Sequence, residues 1–263
     1  MSRNWTITAT TGKPIGILVV ESPAQLGWMA AEFFQREWRE KEGRPFAVGL
    51  PTGNTPILFY NALIGMASER EIDFHNIRTW NLDEYLDQPP WHPGSYRHYM
   101  ESRLFRFVNL PKENIYFLNG MTRDWRATCN RYEHFIRDSG GIDLQVLGIG
   151  MNGHIAFNEP GTPRESRTRM VRLSERTLQE NARLFPDPKE APEFALTMGI
   201  QTIMEARKIM LLASGPGKAN AVYESLCEPP APRVPASFLQ MFPGDLVYVL
   251  DRAASAELPI PAE

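Results

Sequence analysis

Apolar residues in this chain fall into short β-branched runs that alternate with stretches of helical spacing. Gly16–Val20 (GILVV) predicts a strand, and Leu26, Met29, Ala30, Phe33, Phe34 and Trp38 within Ala24–Trp38 lie on one face of a helix. Phe46–Leu50 (FAVGL) predicts another strand, which ends in Pro51-Thr52-Gly53-Asn54-Thr55-Pro56, a turn that opens a helix over Ile57–Met66. Ile77–Leu82 runs into the acidic pair Asp83-Glu84, and a helix follows from about Ser95 to Val108. Leu144–Ile149, Lys208–Ala213 and Leu246–Leu250 predict further strands. Near-continuous apolar strands separated by helices predict an α/β fold, with a mostly parallel central sheet and helices on both faces. No repeat and no shift of composition marks a boundary, so residues 1–263 are expected to form a single domain. Pro186–Pro192 and Glu228–Pro235 read as surface loops, and the terminal AELPIPAE as a loose tail.

Composition narrows the function classes. A chain of 263 residues with 43% hydrophobic content can bury a sizeable core. The net charge of -3, without long blocks of like charge, argues against general nucleic-acid or membrane binding. The two cysteines, Cys129 and Cys227, have no cysteine or histidine at zinc-ligand spacing, so neither a disulfide framework nor a structural metal is expected. A polar N-terminus and the lack of a long apolar run lead to the expectation of a cytoplasmic protein.

The chemistry-bearing residues collect after the strands, in PTGNTP, NLDEY, GMNGHIAFNEP and SGPGKA. Ligands of an open parallel sheet bind at that end. Gly148-Ile149-Gly150-Met151-Asn152-Gly153 satisfies G-x-G-x-x-G, but it sits mid-chain, and Asn158-Glu159-Pro160-Gly161 would break the required helix at once. A dinucleotide site is therefore not expected. His154 and Glu159 could instead move a proton at neutral pH, or be a buried histidine with its carboxylate in solvent. Asp83 by itself reads as a helix cap or turn residue after the strand rather than as a base. Thr52, Gly53, Asn54 and Thr55 can present N–H groups and hydroxyls to an anion at a helix N-terminus, or simply form a turn.

Taken in order, LPTGNTP, NLDEY, GIGMNGHIAFNEPG, SRTR, ENARLF, FALTMGI and GPGKA resemble the glucosamine-6-phosphate deaminase family from Phe46 to Leu250. The sister family, 6-phosphogluconolactonase, shares a similar glycine-histidine loop, but Tyr85 and Phe157-Asn158-Glu159-Pro160 favour the deaminase side. The resemblance implies a modified Rossmann-like three-layer fold and conversion of an aldose 2-amino-sugar phosphate to the ketose phosphate plus ammonia, without metal or organic cofactor. It implies that His154 opens the ring, supported by Glu159 and Asn152, and that Asp83 carries the proton from C2 to C1. Arg183 and Lys218 match the family's cationic phosphate ligands, and residues 173–192 its active-site lid. Galactosamine 6-phosphate, a lactonase-like hydrolysis and a non-catalytic sugar-phosphate binder are the alternatives. Hexameric members bind an acetylated amino-sugar phosphate between subunits. Arg169 matches that site, whereas Val171 and Pro163 depart from it. A monomer or small homo-oligomer is expected rather than an allosteric hexamer.

Overall fold

The computed structural model describes residues 3–175, 177–178 and 191–259. Eight of its strands form one sheet: β1 (Arg3–Thr8), β2 (Pro14–Val20), β3 (Phe46–Leu50), β4 (Ile77–Asn81), β6 (Ile115–Tyr116), β7 (Leu144–Gly148), β10 (Lys208–Ala213) and β11 (Asp245–Asp251). Their order is β1-β2-β11-β10-β7-β3-β4-β6, and every pairing is parallel except β1 with β2. The expected α/β class and mostly parallel sheet are observed.

Why the strands read as continuous apolar runs is visible in their burial. Val146, Leu212 and Val249 point into one core, and their chain neighbours Leu147, Leu211 and Leu250 into the other. Helices α1 (Pro23–Arg39), α2 (Pro56–Ser68) and α3 (Tyr96–Arg103) cover the first face, with Phe34, Phe59, Leu63 and Met100 buried there. The second face is covered by α4 (Trp125–Asp138), through Tyr132 and Ile136, and α5 (Ala219–Cys227), through Val222 and Leu226. Local signals agree with these helices. The Ser22 hydroxyl caps α1 ahead of Pro23, and the Asp124 carboxylate accepts the Ala127 N–H at 3.0 Å at the start of α4.

A second, three-stranded sheet lies beyond the carboxyl end of β4, in the order β5 (Asp83–Tyr85), β9 (Phe194–Thr197), β8 (Arg169–Arg172), with antiparallel pairing. Only Leu82 separates β4 from β5, so the chain passes directly from the large sheet into the small one.

Four expectations are corrected. The helix after Ser95 ends at Arg103, because Leu104 leaves helical geometry (φ -142°, ψ -59°) and a short 3₁₀ turn follows. Asp83 is a strand residue rather than a cap. Glu228–Pro235 is not wholly a surface loop, since Val234 and Pro235 are buried, Val234 against Gly153 in the loop after β7. The tail is anchored as far as Leu258, which is buried in the second core.

Candidate active site

A cleft of about 500 Å³ opens at the carboxyl ends of β3, β4, β7 and β10. It brings together Thr52, Gly53, Asn54, Thr55, Asp83, Asn152, His154, Glu159 and Lys218. Arg183 and most of the expected 173–192 lid lie outside the described residues. At the lid's start, Ser174 and Thr177 line the cleft, and the Ser174 hydroxyl lies 3.5 Å from Glu159 Oε1.

The acidic pair divides its work. Glu84 is buried and accepts four hydrogen bonds, from the N–H groups of Tyr85, Tyr96 and Arg97 (each 2.9 Å) and from the Ser95 hydroxyl (3.0 Å). It holds the N-terminus of α3, where donors and helix dipole both favour a carboxylate. Asp83, next to it and 6% exposed, faces the cleft with no comparable set of donors among the described residues. Burial, and secondly the Glu84 charge, push the Asp83 carboxyl up to about 8. Such a group is protonated when the cleft is empty and becomes a strong base once ionised.

The loop after β7 is tightly specified. A Cβ on Gly150 would lie 2.3 Å from the His154 ring, and one on Gly153, at φ +78°, would lie 2.5 Å from the Val234 side chain. The Gly150 N–H bonds the His154 carbonyl at 2.8 Å, and the Ala236 N–H bonds the Gly153 carbonyl at 2.9 Å, so the Pro-rich loop braces this turn. His154 Nδ1 stands 3.5 Å from Glu159 Oε1. Both side chains are partly exposed, where such a pair contributes about 0.2–1 kcal/mol, so its value is in orientation rather than stability. Asn152 Nδ2 donates to Glu159 Oε2 at 2.8 Å, and Asn152 Oδ1 accepts the His154 backbone N–H at 3.2 Å. Asn152 therefore reaches the imidazole through Glu159.

The opposite end of the cleft suits an anion. The loop over Thr52–Thr55 leads into the 13-residue helix α2, with Thr55 at its N-cap and Pro56 next. Gly53 takes φ +109°, and its carbonyl is held by the Tyr99 hydroxyl at 2.5 Å, while the Tyr60 hydroxyl holds the Pro51 carbonyl. Lys218 comes in on the loop after β10, where its Nζ donates to the Ile149 carbonyl at 2.7 Å. That loop is set by Asp251, which accepts from the Ser214 hydroxyl (2.6 Å) and from the N–H groups of Gly215 (2.9 Å) and Ala254 (2.8 Å).

Asp251 and Glu84 are supports that the motif reading passed over. Asp251 was marked by a carboxylate closing the apolar run LVYVLD. Tyr85 and Phe157 stand out in the motifs, but their meeting with Tyr96 on one side of the cleft does not: the Tyr85 and Tyr96 hydroxyls are 3.0 Å apart, and the Tyr96 and Phe157 rings are stacked. Among the described residues no group of three or more His, Cys, Asp and Glu side chains is arranged to hold a metal ion.

Residues 21–248 match the family described as glucosamine-6-phosphate isomerases/6-phosphogluconolactonase. The chain is 41% identical over 243 residues to a glucosamine-6-phosphate deaminase of Thermoanaerobacter pseudethanolicus, covering 92% of this chain and 95% of that one. It is 44% identical over 242 residues to one of Clostridium botulinum, covering 92% and 96%. Among solved structures, a monomeric glucosamine-6-phosphate deaminase superposes with a TM-score of 0.86 at 40% identity, covering 91% of this chain and 98% of that one. A 6-phosphogluconolactonase of Trypanosoma cruzi, at 23% identity and a TM-score of 0.73, covers 94% and 98% and shares the fold. The chain belongs to the glucosamine-6-phosphate isomerase/6-phosphogluconolactonase family, on its glucosamine-6-phosphate deaminase side.

Proposed function

We propose that this protein converts glucosamine 6-phosphate and water to fructose 6-phosphate and ammonia. The observation that carries the reading is one cleft holding a buried aspartate with its pKa raised to about 8 together with a histidine–carboxylate pair, beside a helix N-terminus and a lysine. His154 takes the proton of the anomeric hydroxyl and returns one to the ring oxygen, with Glu159 supporting the imidazolium and Asn152 holding Glu159 in place. Ring opening exposes the C1 aldehyde and makes the C2 proton acidic. Asp83 removes that proton as a proton of the C2 ammonium passes to the C1 oxygen, giving an enolamine, and then delivers its proton to C1, leaving a ketimine at C2 that water hydrolyses to the ketone and ammonia. Burial serves this step, because a carboxylate of ordinary pKa is a much weaker base toward carbon.

The phosphate is assigned to the N–H groups and hydroxyls of Thr52, Gly53, Asn54 and Thr55 and to Lys218, with Arg183 supplied from outside the described residues. Lys218→Ala should raise KM for the phosphorylated sugar about 10- to 100-fold, the effect of losing a charge-assisted contact, and should also lower kcat, because phosphate binding holds C2 against its base. An unphosphorylated amino sugar should not feel the change. Equal damage with both sugars would make Lys218 a structural residue.

The protein is assigned to the cytoplasm as a single domain, and as a monomer or small homo-oligomer rather than an allosteric hexamer. Cys129 and Cys227 are free thiols, and among the described residues no helix is long and apolar enough to cross a membrane. Arg169, part of the match to the family's effector site, is engaged within the chain by Asn158 Oδ1 at 2.9 Å. Rate curves should accordingly be hyperbolic and unchanged by an acetylated amino-sugar phosphate. A sigmoidal curve that this compound makes hyperbolic would overturn the assignment.

The assay that tests the proposed function is ammonia release from purified protein with glucosamine 6-phosphate and, separately, galactosamine 6-phosphate. Release from the first supports the reading. Release from the second alone changes the C4 configuration, and release from neither sinks the reading.

A further inference from the structure

We infer that Thr197 and Asn158 are positioning residues that fix the ring-opening pair against the C2 base through one rung of the small sheet, an assignment resting on the reaction proposed above. Asp83 pairs with Thr197 in the β5–β9 ladder, and Thr197 pairs with Arg169 in the β9–β8 ladder. The base therefore stands at one end of a three-residue rung. The turn carrying His154 and Glu159 is fastened at three points, two on that rung and one at Met198, the residue after Thr197.

The first is Thr197 itself, fully buried, whose hydroxyl accepts the Phe157 N–H at 3.2 Å. The other two belong to Asn158, also fully buried. Its Nδ2 donates at 2.9 Å both to the Ile155 carbonyl inside the turn and to the Met198 carbonyl on the chain leaving β9. Its Oδ1 accepts from Arg169 Nη1 at 2.9 Å on β8. The Met198 N–H in turn bonds the Leu82 carbonyl at 2.7 Å, one residue before the base. A planar amide with both donors and its acceptor engaged allows little rotation, and Ala156 within the turn is held at φ +50°, a strained value for alanine. The remaining partners of Arg169 among the described residues are neutral: the Arg167 carbonyl at 3.4 Å and the Thr162 hydroxyl at 3.5 Å. Its guanidinium thus serves as a clamp on Asn158.

The chemistry needs such a link. The two proton-transfer groups act on adjacent atoms of one small substrate but come from a strand and a loop far apart in sequence, and misplacement by about 1 Å can lower turnover about 100-fold. Asp83 is held by backbone pairing, which survives side-chain changes at Thr197 and Asn158. Loosening the rung should therefore displace the ring-opening pair and leave the base in place.

The test uses Thr197→Val, which keeps volume and strand preference, Thr197→Ser, which restores the hydroxyl, and Asn158→Asp, which keeps the acceptor for Arg169 but removes both donors. Ammonia release by the wild type is measured first, so a failure of the proposed reaction shows as wild-type inactivity and not as a result about these residues. In an active wild type, Thr197→Val and Asn158→Asp should lower kcat at least about tenfold with KM within about threefold. Thr197→Ser should recover most of the loss. The isotope effect with 2-deuterated substrate should be no larger in the variants than in the wild type, because ring opening is the step that slows. Normal kcat in both variants, a loss that serine does not recover, or an enlarged isotope effect would overturn the assignment.

Discussion

Asp83→Asn should lower ammonia release about 1,000-fold or more and abolish exchange of the C2 proton with solvent, while leaving binding of glucosamine 6-phosphate nearly unchanged. The amide keeps the shape of the carboxyl group but cannot accept the proton. Wild-type kcat/KM should fall as pH drops below about 8, because Asp83 in the free enzyme is then protonated. The limb in kcat should lie lower, since a bound C2 ammonium favours the ionised carboxylate. Stability should show the same group with a definite sign. An acid whose pKa is raised on folding holds its proton in the native state and loses it when unfolded, so its contribution declines with rising pH between the unfolded value near 4 and the folded value near 8. Relative to Asp83→Asn, the wild type should lose about 4 kcal/mol of stability between pH 5 and pH 8. Exchange at C2 at a near-native rate in the variant, or parallel stability curves, would remove Asp83 from this role.

His154→Gln should lower kcat about 100- to 1,000-fold with little change in KM, because the amide fills the space over Gly150 but cannot shuttle a proton at neutral pH. Asn152→Asp is the informative companion. Asn152 donates to Glu159 at 2.8 Å, so an aspartate there would place a second carboxylate at hydrogen-bond distance and favour the protonated imidazole. That variant should remain active with the acidic limb that belongs to His154, separate from that of Asp83, moved to higher pH, while His154→Gln should be equally damaging in either background. An unmoved limb, or a harmless His154→Gln, would contradict the relay.

Much of this site could be read before the structure was known, for physical reasons that differ by element. The apolar runs at Phe46–Leu50, Leu144–Ile149 and Lys208–Ala213 announce strands buried on both faces, and the polar motifs that follow them all reach one cleft because parallel strands share a carboxyl end. What stayed hidden was non-local. Asp83–Tyr85 is a strand only because Phe194–Thr197, distant in the chain, pairs with it. The same contact helps bury Asp83 and so raises its pKa, which no local pattern in NLDEY encodes. Arg3–Thr8 escaped notice because an edge strand with alternating polar residues, RNWTIT, resembles a loop when only apolar content is read; Ile7 is buried while Thr6 and Thr8 are exposed. The brace on Gly153 from Val234 was hidden by the prolines of its loop, which suggested a surface turn.

If one cleft performs isomerisation and deamination together, NMR of the reaction in deuterated water should show both in a single product. Purified protein and glucosamine 6-phosphate should give fructose 6-phosphate and ammonium in equal amounts, with deuterium appearing at C1 as the Asp83 proton exchanges with solvent. Unchanged substrate, or a product whose C1 and C2 are untouched, would contradict it.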